Sequence, residues 1–505
     1  MKKIVLLMGY LLTIPQMFSQ NIQDAMRYSQ NEIQGTARFR ALSGAFGALG
    51  GDISAISLNP ASSSVFTRSQ LSFSMALTNN YHDTQYGDSS NSSTDTNFNL
   101  PQIGGVFVLK NLKSDSPWKT IALSIGYDRT ANYRDEWTAR GTTNTSIDSY
   151  FLNYAQGLPL VEISKFQNET YTDAYIGIGE AYGYGNQQAF LGYESYILEP
   201  VEYTDDNTSY YSNIGSGNYD QKYYYDASGY NSKVTFNASA QYEDWMHLGV
   251  NLNTHFLYYD QVNRLIEGNN NPGSTVNYID FENHLTTFGT GFSFQIGSIF
   301  KIFEGLRAGL TYTSPTWYYL EEETEQFLNT QGSFDGPNSS LTISPYAINV
   351  FPSYRLQEPG SFAASLAYIF GRYGLISFDY SLKNHGNTEF RPTSDTYFSE
   401  QNALISDILT TSSTYRIGGE VRLNEFSLRG GYRFHESPYK NNSIVGDLYG
   451  YSLGIGYKFG NASLDFTYDG FHQNTSYQLY ETGLTNRANF DNRNNNFTLS
   501  LNVIF

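Results

Sequence analysis

The pentapeptide Gly450-Tyr-Ser452-Leu-Gly454 has the spacing of a nucleophile elbow, the sharp strand-to-helix turn that exposes a catalytic serine hydroxyl. Its surroundings deny it that geometry. Leu453 and Ile455 alternate with Ser452 and Gly454, which predicts a strand running straight through the motif. The seven histidines, His82, His247, His255, His284, His385, His435 and His472, are scattered, and no two stand at the i, i+4 spacing of a helical metal site. The run Glu321-Glu-Glu-Thr-Glu325 reads as a solvated loop face, and no glycine-rich loop is placed to cradle phosphate. These residues imply neither an enzyme nor a bound cofactor or metal.

The N-terminus explains where such a chain goes. Met1-Lys-Lys3 is basic, Ile4 to Ile14 is mostly apolar, and a small-residue exit follows near Ser19, so residues 1–20 read as a signal peptide. The apolar core is far shorter than the roughly 20 residues of a spanning helix. The chain contains no cysteine, which excludes a disulfide-stapled exported scaffold and a lipid anchor on a processed cysteine. With 30 Lys plus Arg against 48 Asp plus Glu, the net charge of -18 opposes a nucleic-acid partner. Mean hydropathy is -0.42, yet 44 Tyr, 34 Phe and 4 Trp bring the aromatic fraction to 16%. A transmembrane β-barrel reconciles the two, because its strands carry apolar and polar side chains on opposite faces and aromatics ring both membrane interfaces.

The strand pattern agrees. Phe497, Leu499, Leu501, Val503 and Phe505 alternate with mainly polar residues, and Leu71, Phe73, Met75 and Leu77 do the same. Fourteen strands are predicted, centred on Phe73, Val106, Leu123, Phe236, Val250, Phe292, Leu310, Leu366, Phe378, Gly418, Leu428, Leu453, Phe466 and Leu501. Short connections, such as Glu243 to Trp245 and Asn424 to Glu425, alternate with long ones at Thr130 to Tyr230, Thr313 to Ser353 and Ser381 to Ser412. Short periplasmic turns and long outer loops give a barrel this polarity, and a soluble sandwich has no reason to show it. Both termini are expected on the short-turn side. Ser399 to Leu409 reads as a loop helix capped by Ser399.

Residues 21–66 differ from the rest: rich in Ala, Gly and Ser, with a helix-like Asp24 to Ile33 and a turn of helix capped by Asp52. Pro60 biases Asn59 away from helical geometry. Because a barrel of this size is too wide for its own side chains to fill, the segment is expected to form a hatch inside its periplasmic half, with residues 67–505 as the barrel.

Gly44-Ala-Phe-Gly-Ala-Leu-Gly-Gly-Asp52 followed by Ser54-Ala-Ile-Ser-Leu-Asn59-Pro60-Ala61 resembles the hatch of the long-chain fatty acid transporter family of outer-membrane proteins. Asn59, Pro60 and Ala61 match that family's hatch motif. The segments Ser149 to Gly157 and Ala189 to Leu198 resemble a Bacteroidetes-type branch often labelled hemin receptors. The resemblance implies an outer-membrane location and passive uptake of hydrophobic molecules such as long-chain fatty acids, with lateral exit through a gap beside a kinked third strand. It also implies outer-membrane lipid and lipopolysaccharide as surroundings, and a monomer. It supplies no basic residue for binding a carboxylate. Alternatives are a non-transporting partner of a protein-secretion system and a heme-binding receptor. In the long Thr130 to Tyr230 connection, apolar stretches mark either an interaction site or a loop packed on itself. Phe151, Leu152, Phe190 and Leu191 are the candidate ligand entrance, chosen for apolar character and loop position, while the Tyr210 and Tyr223 runs are expected to shape loop surface.

Overall fold

Fourteen antiparallel strands pair in chain order and the last returns to the first, so the sheet closes without a free edge. The computed structural model describes residues 22–29, 32–113 and 115–505; the expected signal segment lies outside the described residues. The strands are β1 (Gln70–Tyr86), β2 (Ser89–Lys110), β3 (Trp118–Asn132), β4 (Tyr219–Tyr242), β5 (Met246–Gly268), β6 (Val276–Phe303), β7 (Leu306–Thr313), β8 (Ser361–Ile369), β9 (Gly374–Asn384), β10 (Thr411–Leu423), β11 (Phe426–His435), β12 (Leu448–Phe459), β13 (Ala462–Gln478) and β14 (Arg487–Ile504). Every predicted centre falls in its strand. The pairing of β1 with β14 runs from Gln70↔Ile504 to Gln85↔Asn489 and seals the barrel.

Side-chain alternation decides what each face meets. On β1, Leu71, Phe73, Met75 and Leu77 are exposed outward while Ser72 and Ser74 are buried inward. On β14, Phe497, Leu501 and Val503 point out, and Thr498 and Ser500 point in. The resulting apolar belt is what lipid hydrocarbon accepts, and the polar lumen is what hatch and water accept.

Several strands run far past the roughly 9–11 residues that span a bilayer: β4 has 24 residues, β5 23 and β6 28. Both ends of the expected Thr130 to Tyr230 loop are therefore strand. β3 breaks at Tyr133-Arg134 and resumes over Asp135–Thr143, still paired with β4, leaving residues 144–218 as the excursion. Similarly, β7 resumes over Thr316–Gly332, which turns the acidic run into a strand whose Glu322 is buried and accepts the Tyr354 hydroxyl at 2.6 Å. Tyr223 and Tyr225 are inward on β4 rather than on a loop surface, because the strand extension gives them an interior face.

Helices close both ends of the lumen. The hatch contains α2 (Ala37–Ala41), α3 (Ile53–Ile56) and a 3-10 turn Pro60–Val65. Asp52 caps α3 by accepting Ser54 N–H, as the sequence predicted, and Thr36 caps α2 through Phe39 N–H. The Thr36 hydroxyl donates to Asp52 at 2.8 Å, tying the two caps together. Preceding them, α1 (Ile22–Ser29) departs from the expected short-turn location. Its Ala25, Met26 and Tyr28 belong to the aromatic core at the long-loop end, Tyr28 donates to Thr287 at 2.9 Å, and Arg27 lies 4.2 Å from the Tyr259 ring centroid. The apolar face of this helix finds its partners there, across the polar middle of the lumen from the hatch.

The excursion folds into α4 (Asp148–Ala155), α5 (Tyr171–Tyr182) and α6 (Tyr184–Glu194), which share one hydrophobic core with α1 and the strand extensions and form a cap. α7 (Thr396–Ile408) begins ahead of the predicted loop helix, and Asp395 rather than Ser399 is its cap, accepting from Phe398 N–H. Carboxylates suit that position because they face the partial positive charge of the helix start.

Candidate functional site

The hatch is fastened by charge and backbone rather than by apolar area alone. Arg40 on α2 forks onto Asp469 of β13 at 2.8 and 3.0 Å, both side chains almost wholly buried. Arg38 meets Glu420 of β10 at 2.9 Å, and Arg429 of β11 joins that carboxylate to Asp465 at 2.7 and 2.6 Å. Asp379 of β9 accepts the backbone N–H groups of Phe46 and Gly47, each at 2.9 Å.

Asn59, Pro60 and Ala61 lie on the opposite wall. Asn59 adopts φ −138°, ψ 111°, and its side-chain oxygen Oδ1 accepts Ala61 N–H. Its amide donates to Gly47 O at 2.7 Å inside the hatch and to Ser298 O on β6 at 3.0 Å. Pro60 O accepts from Asn237 of β4 at 2.9 Å. This approach requires bare backbone in the wall: a Cβ at Gly297 would lie 2.1 Å from the Asn59 oxygen, and one at Gly249 2.4 Å from the Pro60 carbonyl. Ser452, of the elbow-like motif, sits in strand β12 and donates to Ala41 O of the hatch at 2.9 Å.

Between hatch and α1 the lumen holds two adjoining compartments of about 250 and 390 Å³, which share Glu32, Ile33, Ser361, Ser381, Lys383 and Arg416 in their walls. The smaller is floored by Phe39, Ser54, Ser57 and Leu58 of the hatch and bounded by Asp128, Arg129 and Thr130 of β3. The larger rises past Arg27 and Ser29 of α1.

At Asp128 the wall itself changes. The β2–β3 ladder runs from Lys110↔Thr120 only to Gln102↔Asp128, whereas β2 continues paired with β1 up to Tyr86↔Ser89. The β1–β2 register slips between Ser74 and Ala76, opposite Leu100-Pro101, where proline supplies no N–H. Beyond this point side chains bridge the two strands: Asn132 donates to Asn97 at 2.8 Å, Asn91 donates to Thr138 O at 2.6 Å, and Arg134 pairs with Asp95 at 3.5 Å. Asp128, at the last rung, accepts the Ser57 hydroxyl of the hatch. Outside, Phe98 and Leu100 face lipid, and below them Leu71, Phe73, Ile103, Phe107 and Tyr127 border an apolar groove of about 570 Å³ over Gly104, Gly105 and Gly126. Gly104 and Gly126 are directly paired, so the wall there is bare backbone.

The four sequence-chosen entrance residues are together, but inside the cap. Phe151, Phe190 and Leu191 have no exposed surface, and Leu152 packs against the same cluster. Phe151 meets Phe281 of β6 with ring centroids 5.1 Å apart. The lumen cations, Lys383, Arg416 and Arg433, were not singled out from the sequence. Their signal was a charged residue at an inward position of an alternating strand, which in isolation reads as an exposed polar face.

No family model matches the chain, and no curated protein matches it. Among solved structures, a Pseudomonas aeruginosa FadL homologue covers 94% of this chain and 100% of its own with a TM-score of 0.54 at 12% identity. The Pseudomonas putida toluene transporter TodX covers 94% and 100% with a TM-score of 0.51 at 11% identity. At these identities the likeness is one of fold.

Proposed function

We propose that this protein resides in the outer membrane of a Gram-negative-type cell and admits hydrophobic or amphipathic compounds by diffusion, with long-chain fatty acids as the leading substrate class. The observation that carries the reading is the meeting of a lumen cavity with an interrupted ladder inside the lipid-facing belt, at Asp128 and Gln102. An aqueous pore would need its wall intact. A solute bound for the membrane interior needs a side door at lipid depth, and apolar residues on the lipid side to receive it. The path runs from the cap, beneath Phe151, Leu152, Phe190 and Leu191, into the compartments above the hatch, and out between β2 and β3. Residues 21–66 act as the plug that denies small polar solutes a straight passage, with Asn59-Pro60-Ala61 seating it on the wall. The folds shared with a FadL homologue and a toluene transporter support the reading.

The side door is tested with Asn97→Cys/Asn132→Cys, a pair whose native side chains are hydrogen-bonded across the gap and which adds the only thiols to a cysteine-free chain. Oxidation should stop uptake of a labelled fatty acid by cells that depend on this protein, and reduction should restore it. Uptake equal in the oxidised and reduced states refutes lateral exit.

A further inference from the structure

The larger lumen compartment has walls lined with polar groups that have nothing to bond. Arg416 Nε, Arg433 Nε, His435 Nε2, His385 Nδ1 and the Tyr133 hydroxyl are all buried, all line it, and all lack a hydrogen-bond partner among the described residues. Buried polar groups in folded proteins are nearly always paired, so five on one cavity point to a ligand that supplies the partners. Arg433 is only 5% exposed and stands over the Phe471 ring at 5.6 Å.

The nearby carboxylates are engaged elsewhere, except that Asp379 Oδ1 has no hydrogen-bond partner among the described residues. Asp469 takes Arg40 and Asn496, and Asp379 takes the N–H groups of Phe46 and Gly47 on one oxygen. On the cavity wall, Glu32 accepts from Gln34 at 2.7 Å and Glu436 from Ser413 N–H at 2.9 Å. Lys383 is paired with Glu358. Neither Arg416 nor Arg433 forms an ion pair among the described residues, although Asp379 and Asp469 stand near enough to act on their charges.

The directions of the donors narrow the ligand. His385, Arg416, Arg433 and His435 come from the consecutive β9, β10 and β11 region, and Tyr133 comes from the β3 break, seven strands away and on the facing wall. A carboxylate offers two oxygens in one plane. A tetrahedral oxyanion offers acceptors in every direction and carries enough charge for two arginines. Resting on the uptake reading above, we infer that this compartment is the seat for the phosphate or sulfate head of an amphiphilic monoester, whose apolar tail extends toward Ile33, Ala131 and Leu448.

Calorimetric titration of the full-length protein in lipid nanodiscs with hexyl phosphate, hexanoate and hexanol tests this. Hexyl phosphate should bind saturably and at least about tenfold more tightly than hexanoate, with no saturable heat from hexanol. Arg416→Gln and Arg433→Gln should each weaken hexyl phosphate by about tenfold or more while retaining the folded, heat-modifiable gel band. If either fails to fold, Tyr133→Phe removes one donor from the facing wall at nearly constant volume and should still weaken hexyl phosphate several-fold. Hexanoate binding as tightly as hexyl phosphate, unaltered binding in the folded variants, or absence of saturable binding each overturns the seat. These titrations read the seat whether or not the cysteine clamp stops uptake, so the two proposals fail separately.

Discussion

Replacing Arg40 with methionine should loosen the hatch without opening the barrel. The guanidinium and the Asp469 carboxylate are each about 1% exposed and share two hydrogen bonds, at 2.8 and 3.0 Å. Removing one member of such a pair strands the other as a buried charge, a loss of about 3–5 kcal/mol. The residual donor from Asn496, at 3.2 Å, places the expectation at the lower end. At about 1.4 kcal/mol per tenfold, local opening of α2 should rise by roughly a hundredfold or more. The Arg38–Glu420–Arg429 cluster and the Asp379 clasp remain, so the hatch as a whole should stay seated. Hydrogen exchange of the Arg40, Ser43 and Gly44 amides, which bond Thr36 O, Arg40 O and Phe39 O, reads this opening directly. Their protection should fall by about two orders of magnitude while strand amides of β12 to β14 hold theirs. Adding Asp469→Asn removes the stranded charge and should recover most of the loss. Unchanged protection in Arg40→Met, or no recovery in the double variant, would refute the account of the hatch as charge-latched.

Deleting residues 21–64 should raise conductance for small ions in planar bilayers, and unchanged conductance would mean the segment is not a plug. Cysteines placed singly at exposed Ser209 and Gly371 should be labelled and spared, respectively, in intact cells; the reverse would invert the topology. Changing Phe151, Leu152, Phe190 and Leu191 together to serine should loosen the cap, since each large-to-small change in a packed core costs about 2–5 kcal/mol. Protease should then cut residues 144–218 while the barrel band survives, with fatty-acid uptake reduced; a cap that stays protease-resistant would contradict the packing described. Asn59→Ala removes donors to Gly47 O and Ser298 O and should increase exchange in the Pro60–Val65 turn, an effect absent if that contact is dispensable.

The number of strands, their faces, the hatch cap at Asp52 and the departure from helical geometry at Asn59 were legible in the sequence, because each depends on neighbours a few residues away. Period-2 alternation states which side chains meet lipid, and a proline after an asparagine states where a helix cannot continue. The excursion's own folding was half legible: its apolar stretches were visible, but whether Phe151 and Phe190 would face solvent or each other's surroundings depended on Phe281 and the other strand extensions that receive them. Three features belonged to tertiary structure alone. The end of the β2–β3 ladder at Gln102↔Asp128 depends on how a bulge at Leu100-Pro101, opposite Met75, aligns the strands, which no single strand encodes. The location of α1 depends on an aromatic core assembled from residues hundreds of positions away. The facing of Tyr133 toward Arg416 and Arg433 depends on barrel closure, which brings the third strand opposite the tenth and eleventh. An inward arginine and a solvated one have the same local pattern; only closure of the sheet decides which of them shares a cavity.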